Sequence, residues 1–269
     1  MFECMEGDTM KLDNKVCIVT GGAMGNGLGI VEVFLKYGAK VVIFDYSDQV
    51  FETVKEKNNP NLIGYKVDIR DKETIDKYVA EVIEKFGKID VLVNNAGVCQ
   101  LEKFVDMDDA MRDNHFGINI IGTWNVSKAV VPHMIEKKYG KIVNLSSVTG
   151  PMVADSGEVA YATTKSAVLG FTKALAMELV TDNICVNAIM PGYVLTPMVE
   201  NMAKATAPEN PQSIIDGIAE GIPMGRLGTI HEVGELAAFL ASDESSYITG
   251  QGIVIDGAST LPETKVVGV

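Results

Sequence analysis

The 269-residue sequence predicts a single α/β domain with a doubly wound, seven-stranded parallel sheet. Short apolar runs recur along the chain, and stretches with helical periodicity separate them. Most of the runs lack the alternating polar positions of a half-solvated strand, so we expect helices to cover the sheet on both faces. Strands that alternate with helices also imply right-handed crossovers, which is the connection that such a sheet uses.

Seven apolar runs are interpreted as strands: residues 16–20, 41–44, 62–67, 91–93, 142–145, 184–189 and 253–255. The helical pattern is clearest over 71–86 and 160–179, where apolar residues recur at spacings of three and four. Residues 203–223 interrupt the alternation after the sixth strand. We expect them to form an insertion over the C-terminal edge of the sheet.

The predicted domain spans residues 12–262 and includes a substrate lid at about 192–224. Residues 1–11 are interpreted as an N-terminal extension, because they contain neither the basic cluster nor the apolar core of a secretory signal. Residues 263–269 are interpreted as a short C-terminal tail.

Composition and charge argue against several classes of function. The formal net charge of −13 leaves no basic stripe to neutralise phosphates, so neither a nucleic acid nor a membrane is expected as a partner. No apolar run reaches the length of a membrane span. The four cysteines are scattered, which is typical of free thiols in a cytoplasmic protein. The three histidines lack metal-ligand spacing, so no metal site is expected.

A glycine-rich turn follows the first strand and opens a helix. Glycine allows such a turn to close tightly and to approach a pyrophosphate, which the helix N-terminus attracts. Within a βαβ unit, this pattern favours dinucleotide binding over a plain tight turn. The residues of the turn that we expect to contact the cofactor are Gly21, Met24, Gly25, Asn26 and Gly27.

Asp45 ends the second strand and indicates which dinucleotide is bound. A carboxylate at this point accepts hydrogen bonds from the adenosine ribose and repels a 2′-phosphate. Neither Met24 nor Tyr46 nearby supplies a positive charge to attract that phosphate. We therefore expect NAD(H), in preference to NADP(H), as the cofactor.

Tyr161 and Lys165 lie four residues apart within a predicted helix, so they project from one face. Ionising a free tyrosine near pH 7 costs roughly 4 kcal/mol, because its pKa is about 10. An ammonium about 4 Å away returns roughly 4 kcal/mol at an effective dielectric near 20. The pair therefore forms a candidate general acid and base, although such a pair alone is common on helices that have no catalytic role.

The ordered motifs resemble those of the short-chain dehydrogenase/reductase (SDR) family, over about residues 12–262. The chain contains T-G-x-x-x-G-x-G from Thr20, N-N-A-G from Asn94, and S-S ending at Ser147. Y-x-x-x-K from Tyr161 and P-G-x-x-x-T from Pro191 complete the series. The runs 148–155 and 243–247 further resemble the UcpA-like branch and some bacterial hydroxysteroid dehydrogenases.

The resemblance implies an oxidoreductase that moves a hydride between the nicotinamide and a secondary alcohol or ketone. Tyr161 would be the general acid and base, and Lys165 would lower its pKa and hold the nicotinamide ribose. Ser147 would bind the reacting oxygen, and Asn119 would hold a water that connects the lysine to solvent. Besides Tyr161 and Lys165, the cofactor contacts implied beyond the glycine-rich turn and Asp45 are Asp68, Ile69, Asn95, Ala96, Gly97, Pro191, Gly192, Val194 and Thr196.

One spacing departs from the family pattern. Ser147 and Tyr161 are fourteen positions apart, and many members have one residue fewer between them. We expect the extra residue in the loop 151–158, which would face the substrate. Ser146 is the alternative catalytic serine if the extra residue shifts the strand end.

Apolar, partly methionine-rich side chains are predicted around the substrate. Methionine packs well against irregular apolar ligands, which favours a hydroxysteroid, a bile acid or another alicyclic alcohol. Core packing or a subunit contact would explain the same residues equally well, and a small polar alcohol, sugar or polyol is the alternative substrate. The predicted substrate contacts are Ser147, Met152, Val153, Tyr161, Tyr193, Met198 and Met202.

Two other classes of protein share this kind of fold, since fold alone does not define function. A catalytically idle NAD-binding sensor or scaffold would be expected to lose Ser147, Tyr161 or Lys165, and all three are present. A sugar-nucleotide epimerase or dehydratase would have a longer chain and a separate substrate domain. Because SDR proteins are commonly tetramers, the resemblance also implies a homotetramer built on helices such as 108–138 and 160–179.

Overall fold

The computed structural model describes residues 11–262. The predicted tail and the predicted extension, except Lys11, lie outside this range. The described chain forms a seven-stranded parallel sheet in the order β3-β2-β1-β4-β5-β6-β7. The strands are β1 (Val16–Thr20), β2 (Lys40–Asp45), β3 (Leu62–Lys66), β4 (Val91–Asn94), β5 (Gly140–Leu145), β6 (Ile184–Pro191) and β7 (Gly252–Ile255).

Helices connect the strands and cover both faces of the sheet. The predicted doubly wound fold is therefore confirmed, and the strand ends differ from prediction by at most two residues. In order, the helices are α1 (Gly25–Lys36), α2 (Gln49–Lys57), α3 (Lys72–Phe86), α4 (Asp109–His115), α5 (Thr123–Lys137), α6 (Val159–Leu179), α7 (Pro197–Thr206), α8 (Pro211–Glu220) and α9 (Ile230–Ala241).

The core has one apolar layer on each side of the sheet. On one side, Ile30 and Phe34 of α1 are fully buried close to Ala237 of α9. On the other side, Val126 of α5 and Ile75 of α3 are equally buried. Both layers hold the central strands in water-free surroundings, which explains the continuously apolar sequence of β1, β2 and β4.

β1 and β4 are neighbours in the sheet, although β2 and β3 lie between them in sequence. At this position the chain reverses the direction in which it adds strands. Loops leave the two carboxyl ends in opposite directions, so a crevice opens between them. Ligands of open α/β sheets bind in this kind of crevice.

The predicted helix over 108–138 is not continuous. A π-helical turn, Phe116–Gly122, separates α4 from α5. A π turn adds a residue to the helical circuit and is frequent at functional sites. It places Asn119 inside the molecule, where only 1% of its surface is exposed.

The predicted insertion is also helical. Thr196 caps α7 by accepting a hydrogen bond from the amide of Val199, and a proline occupies the first turn of α7 and of α8. The two helices pack on each other and follow the C-terminal end of β6. Among residues 11–262, no helix is both long and apolar enough to cross a membrane.

Candidate active site

The side chains of Ser147, Tyr161, Lys165 and Asn119 meet beyond the carboxyl ends of β4 and β5. Ser147 lies two residues past the end of β5, and Tyr161 and Lys165 lie in the first two turns of α6. The π turn contributes Asn119. Each residue comes from a different part of the chain, and the parallel sheet brings them together.

Tyr161 is partly buried, and the Ser147 side chain lies close to its hydroxyl. Burial raises the pKa of Tyr161 well above its usual value, since removal from water disfavours the phenolate. The neighbouring Ser147 hydroxyl acts on this pKa in the opposite direction. The phenol therefore holds its proton at neutral pH.

Lys165 is 6% exposed, and its Nζ donates a hydrogen bond of 2.7 Å to the carbonyl oxygen of Leu145. Its Nζ lies 5.6 Å from the centre of the Tyr161 ring. Burial lowers the pKa of Lys165 to about 8. The predicted lowering of the Tyr161 pKa by Lys165 does not appear in this geometry, because desolvation dominates at both groups.

The two candidate serines make different contacts. The Oγ of Ser146 donates to the carbonyl oxygen of Lys165 at 2.8 Å, so it fastens β5 to α6. Ser147 faces Tyr161 and accepts a hydrogen bond from the amide of Thr149 at 3.1 Å. Because the Ser146 hydroxyl is engaged by the Lys165 carbonyl, these contacts favour Ser147 as the serine that contacts the substrate oxygen.

Asn119 connects three segments around the lysine. Its Oδ1 accepts from the amide of Val98 at 2.8 Å, and its Nδ2 donates to the Val98 carbonyl at 3.0 Å and to Thr164 Oγ1 at 2.9 Å. A β-carbon on Gly97 would lie 3.2 Å from Asn119 Oδ1 and 3.5 Å from Lys165 Nζ. The absence of that carbon leaves the lysine head open toward the crevice.

The glycine-rich turn has the shape that a dinucleotide requires. Gly21 and Gly25 have positive φ angles of 63° and 56°. A β-carbon on Gly27 would lie 2.0 Å from the carbonyl oxygen of Gly21, so the turn closes only with glycine there. Helix α1 starts without a side-chain cap, and Asn26 has a buried Oδ1 with no partner in the described residues. These free groups fit a bound pyrophosphate and ribose.

Asn95 holds this turn against the neighbouring strand. Its Nδ2 donates to the carbonyl oxygens of Thr20 and Gly21, and its amide and that of Ala96 donate to Thr20 Oγ1. Asn95 and Ala96 are predicted to contact the cofactor. In the structure, their hydrogen bonds to Thr20 and Gly21 also hold the glycine-rich turn in place.

The carboxylate of Asp45 is 8% exposed and accepts hydrogen bonds of 3.0 Å from the amides of Ala23 and Ser47. It therefore places a fixed negative charge beside the glycine-rich turn. Asp68, at the expected adenine end, pairs with Arg70 at 2.6 Å, and this hydrogen bond lowers the pKa of Asp68. Arg70 was missed by sequence analysis, because a single arginine after a strand carries no motif.

The remaining expected cofactor residues lie in segments that follow strands β3 and β6 or end them. Thr196 lies opposite the turn, 3.8 Å from where a β-carbon of Gly25 would be. Val194 and Ile69 are buried, whereas Gly192 packs close to Asp256. Pro191 is the last residue of β6. Its carbonyl oxygen accepts a hydrogen bond from the amide of Val148, and this bond joins the loop after β5 to β6.

The predicted substrate side carries exposed apolar groups. Met152, Val153, Tyr193 and Met198 each expose between 44% and 54% of their surface, and Met202 is partly buried. Such exposure of large apolar side chains around a crevice is typical of a binding surface.

Cys99 and Glu158 also lie near Tyr161, and neither belongs to a motif that predicts it there. Burial first, and the Glu158 carboxylate second, raise the pKa of the Cys99 thiol to about 11. Burial, followed by Asp155 and Glu158, also raises the pKa of Tyr193. Glu158 lies three residues before Tyr161, at the N-terminal end of α6. This spacing is the sequence signal that could have placed its carboxylate near Tyr161.

A glycine-lined crevice that leads to a buried Ser–Tyr–Lys group defines a nicotinamide-dependent oxidoreductase of the Rossmann type. The chain belongs to the SDR family, in its UcpA-like branch. The family profile described as enoyl-(acyl carrier protein) reductase matches residues 21–260. In the described residues, no group of three or more His, Cys, Asp or Glu side chains could hold a metal ion.

Three known proteins illustrate the similarity. Oxidoreductase UcpA of Salmonella typhimurium is 51% identical over 261 residues, which cover 96% of this chain and 99% of UcpA. The NAD-dependent glycerol dehydrogenase of Listeria innocua is 36% identical, covering 93% of this chain and 95% of its own. The structure of L-sorbose reductase of Gluconobacter frateurii, solved with NADPH and L-sorbose, is similar to this one with a TM-score of 0.88 at 30% sequence identity. The match covers 95% of this chain and 100% of the reductase chain.

The two shifted pKa values predict the pH dependence of alcohol oxidation. Below the raised pKa of Tyr161, the phenolate fraction grows tenfold for each pH unit. We expect kcat/KM for oxidation to rise with a logarithmic slope near 1 and to level off above about pH 8, where Lys165 loses its proton. In the Lys165→Arg variant the side chain stays charged above about pH 8. We therefore expect a lower kcat/KM for this variant, with no change of slope in the pH profile near pH 8. A flat wild-type profile between pH 6 and 8 would contradict the assignment.

Proposed function

We propose that this protein is an NAD(H)-dependent dehydrogenase or reductase of secondary alcohols and ketones, with Tyr161 as the general acid and base. The observation that carries the proposal is the grouping of Ser147 and Tyr161 beside the buried Lys165, whose Nζ lies 5.6 Å from the centre of the Tyr161 ring. An idle sensor or scaffold would have no use for this arrangement.

The bound nicotinamide supplies or accepts the hydride. Tyr161 donates its proton to the ketone oxygen in reduction and accepts it from the alcohol in oxidation. Ser147 stabilises the charge that develops on the same oxygen. Lys165 supplies positive charge behind the phenol, and Asn119 fixes the segment at Val98 that faces the lysine. The burial of all these groups strengthens their electrostatic effect on the reacting oxygen.

The preference for NAD(H) rests on Asp45. Its buried carboxylate, held by two backbone amides, would meet a 2′-phosphate at close range without a compensating cation. Arg70 does not offset it, because its guanidinium is engaged by Asp68 and Asn114. The glycerol dehydrogenase relative is likewise NAD-dependent by name.

The apolar surface of Met152, Val153, Tyr193 and Met198 supports an alicyclic substrate, such as a hydroxysteroid or a bile acid. Thioether side chains adapt to an irregular apolar outline.

A small polar alcohol, sugar or polyol is the second candidate. Asp155 and Glu158 lie close enough to Tyr193 to affect its titration, and carboxylates accept hydrogen bonds from substrate hydroxyl groups. The names of two relatives also refer to polar substrates, glycerol and L-sorbose.

A panel of ketones and alcohols distinguishes the two candidates. It contains steroids and bile acids oxidised at different positions, cyclic ketones, polyols and sugars, each measured with NADH or NAD. We expect the highest kcat/KM with an alicyclic substrate, since the exposed lid residues are mainly apolar. Turnover confined to polyols and sugars would reject that substrate class and leave the proposed chemistry in place.

We also propose a homotetramer and a cytoplasmic location. Trp124 is 53% exposed on α5 and borders an apolar groove with Phe171 of α6, which suits contact with a second subunit. The cysteines of the described range, Cys17, Cys99 and Cys185, are free thiols, as expected for a reducing compartment.

Replacing Tyr161 with phenylalanine tests the acid-base assignment. We expect Tyr161→Phe to lose at least about 10³-fold in kcat, because phenylalanine has no hydroxyl to exchange the proton. NADH binding, measured by fluorescence titration, should change less than about threefold, because the ring remains. Tyr193→Phe is the matched control and should keep most of the turnover. Near-normal turnover of Tyr161→Phe would reject the mechanism.

Replacing Asp45 with asparagine tests the cofactor preference. The amide side chain of Asp45→Asn would keep an acceptor for Ala23 or Ser47 but would lack the charge that repels a 2′-phosphate. We expect the ratio of kcat/KM with NAD to that with NADP to fall at least about tenfold, or about 1.4 kcal/mol. Asp48→Asn, an exposed carboxylate nearby, is the control and should leave the ratio unchanged. A wild-type preference for NADP would contradict the role of Asp45.

A further inference from the structure

Lys141 and Cys185 form a pair at the end of the sheet opposite the crevice. They are the second residues of β5 and β6 and lie directly opposite each other in the parallel register. Their side chains therefore project from the same face of the sheet. Lys141 is 3% exposed and Cys185 is 9% exposed.

The lysine head contacts the thiol. Nζ of Lys141 lies 3.5 Å from Sγ of Cys185, and this is the one side-chain hydrogen bond that Nζ makes within residues 11–262. Sγ also lies 3.6 Å from the carbonyl oxygen of Ser246. The carboxylate of Asp243 is close enough to attract Lys141, but it accepts its hydrogen bonds from Lys15 and Tyr139. A buried amine is thus held against a thiol and has no carboxylate bonded to it.

Cys185 also borders a cavity of about 240 Å³. The cavity is lined by Val180, Asn183, Ile184, Cys185, Ser246, Tyr247 and Thr249, and Lys141 is not part of this lining. The cavity therefore offers a small hydroperoxide a route toward Cys185.

We propose that Cys185 and Lys141 form a reversible oxidation site, in which a hydroperoxide converts the pair into a sulfur–nitrogen cross-link. In the first step the sulfur attacks the peroxide, an S–O bond forms and the O–O bond breaks. The leaving oxygen takes up the thiol proton and departs as an alcohol or water. The sulfur loses two electrons to the peroxide and becomes a sulfenic acid.

In the second step the nitrogen of Lys141 attacks this sulfur. The ammonium first releases one proton to solvent, which frees the lone pair of the nitrogen. The S–N bond then forms and the S–O bond breaks, and the hydroxyl group of the sulfenic acid leaves as water with a second proton of the amine. The product is the side-chain counterpart of the sulfenamide that a sulfenic acid forms with a backbone nitrogen. Two thiol equivalents reverse it, giving back the thiol and the amine while they become a disulfide.

The site differs from the other thiols of the described range. Cys17 is fully buried and has no access from solvent. Cys99 lies near Lys165, but the Lys165 ammonium donates to the carbonyl oxygen of Leu145. Only the Lys141–Cys185 pair, within residues 11–262, combines a hydrogen-bonded amine with an open path to the sulfur.

The test treats the purified full-length protein with hydrogen peroxide and measures the intact mass. Loss of two hydrogen atoms lowers the mass by about 2 Da, and dithiothreitol should restore it. Trypsin should then fail to cleave after Lys141. The expected cross-linked product joins peptide 139–165 to peptide 174–204.

Two variants supply the matched controls. Lys141→Met keeps the unbranched stem without the amine, so it should gain about 16 or 32 Da at Cys185 and form no link. Lys15→Met removes a neighbouring amine that contacts Asp243, and it should keep the link. The wild-type peptide map decides the question even if Lys141→Met fails to fold.

Three outcomes would overturn the proposal. They are oxygen addition at Cys185 of the wild type without a link, a disulfide between Cys185 and Cys4, and a link from Cys99 to Lys165. The last appears as peptide 89–103 joined to a peptide that contains Lys165. Cys4→Ser separates the second outcome from the proposed one, because both lower the mass equally.

Discussion

The site depends on the register between β4 and β5, which fixes where their carboxyl ends meet. Asn94 and Asn144 are opposite each other in this register, and Asn94 Nδ2 donates to Asn144 Oδ1 at 2.8 Å. The same two residues reach Ser127 on α5 and Thr172 on α6. A slip of one residue would turn each side chain to the other face and break all three contacts. Buried amides therefore align the strands with α5 and with α6, the helix that carries Tyr161 and Lys165.

The buried Tyr161 and Lys165 are pushed toward their neutral forms, and this is the cost of placing them in a dry site. Desolvation raises the tyrosine pKa and lowers the lysine pKa, so it acts on the two groups in opposite directions. The carbonyl of Leu145 holds the ammonium, and the Ser147 hydroxyl partly offsets the burial of the phenol.

Much of this arrangement follows from the sequence, because the apolar runs and the glycine turn have local physical causes. The strands are predictable because strands that are buried on both faces have a continuously apolar sequence. The π turn has no such signal in the sequence. A helix with one added residue keeps the composition of an ordinary helix, so the inward position of Asn119 requires coordinates. The direction of the Tyr161 pKa shift was also out of reach, because it depends on burial that four-residue spacing does not reveal.

The two ends of the sheet carry different chemistry because parallel strands separate them. Because all seven strands are parallel, their carboxyl ends lie at the same edge of the sheet. The crevice lies at this edge, where the loops diverge and backbone amides are free for a ligand. Every strand also begins at the opposite edge, where cross-strand neighbours such as Lys141 and Cys185 lie side by side in fixed register. A group at that edge cannot reach the nicotinamide, so its reactivity is independent of the hydride-transfer site. Lys141 is a polar side chain buried at that edge, with 3% of its surface exposed. Its burial therefore has to be explained by the contacts that it makes there and not by the chemistry of the crevice.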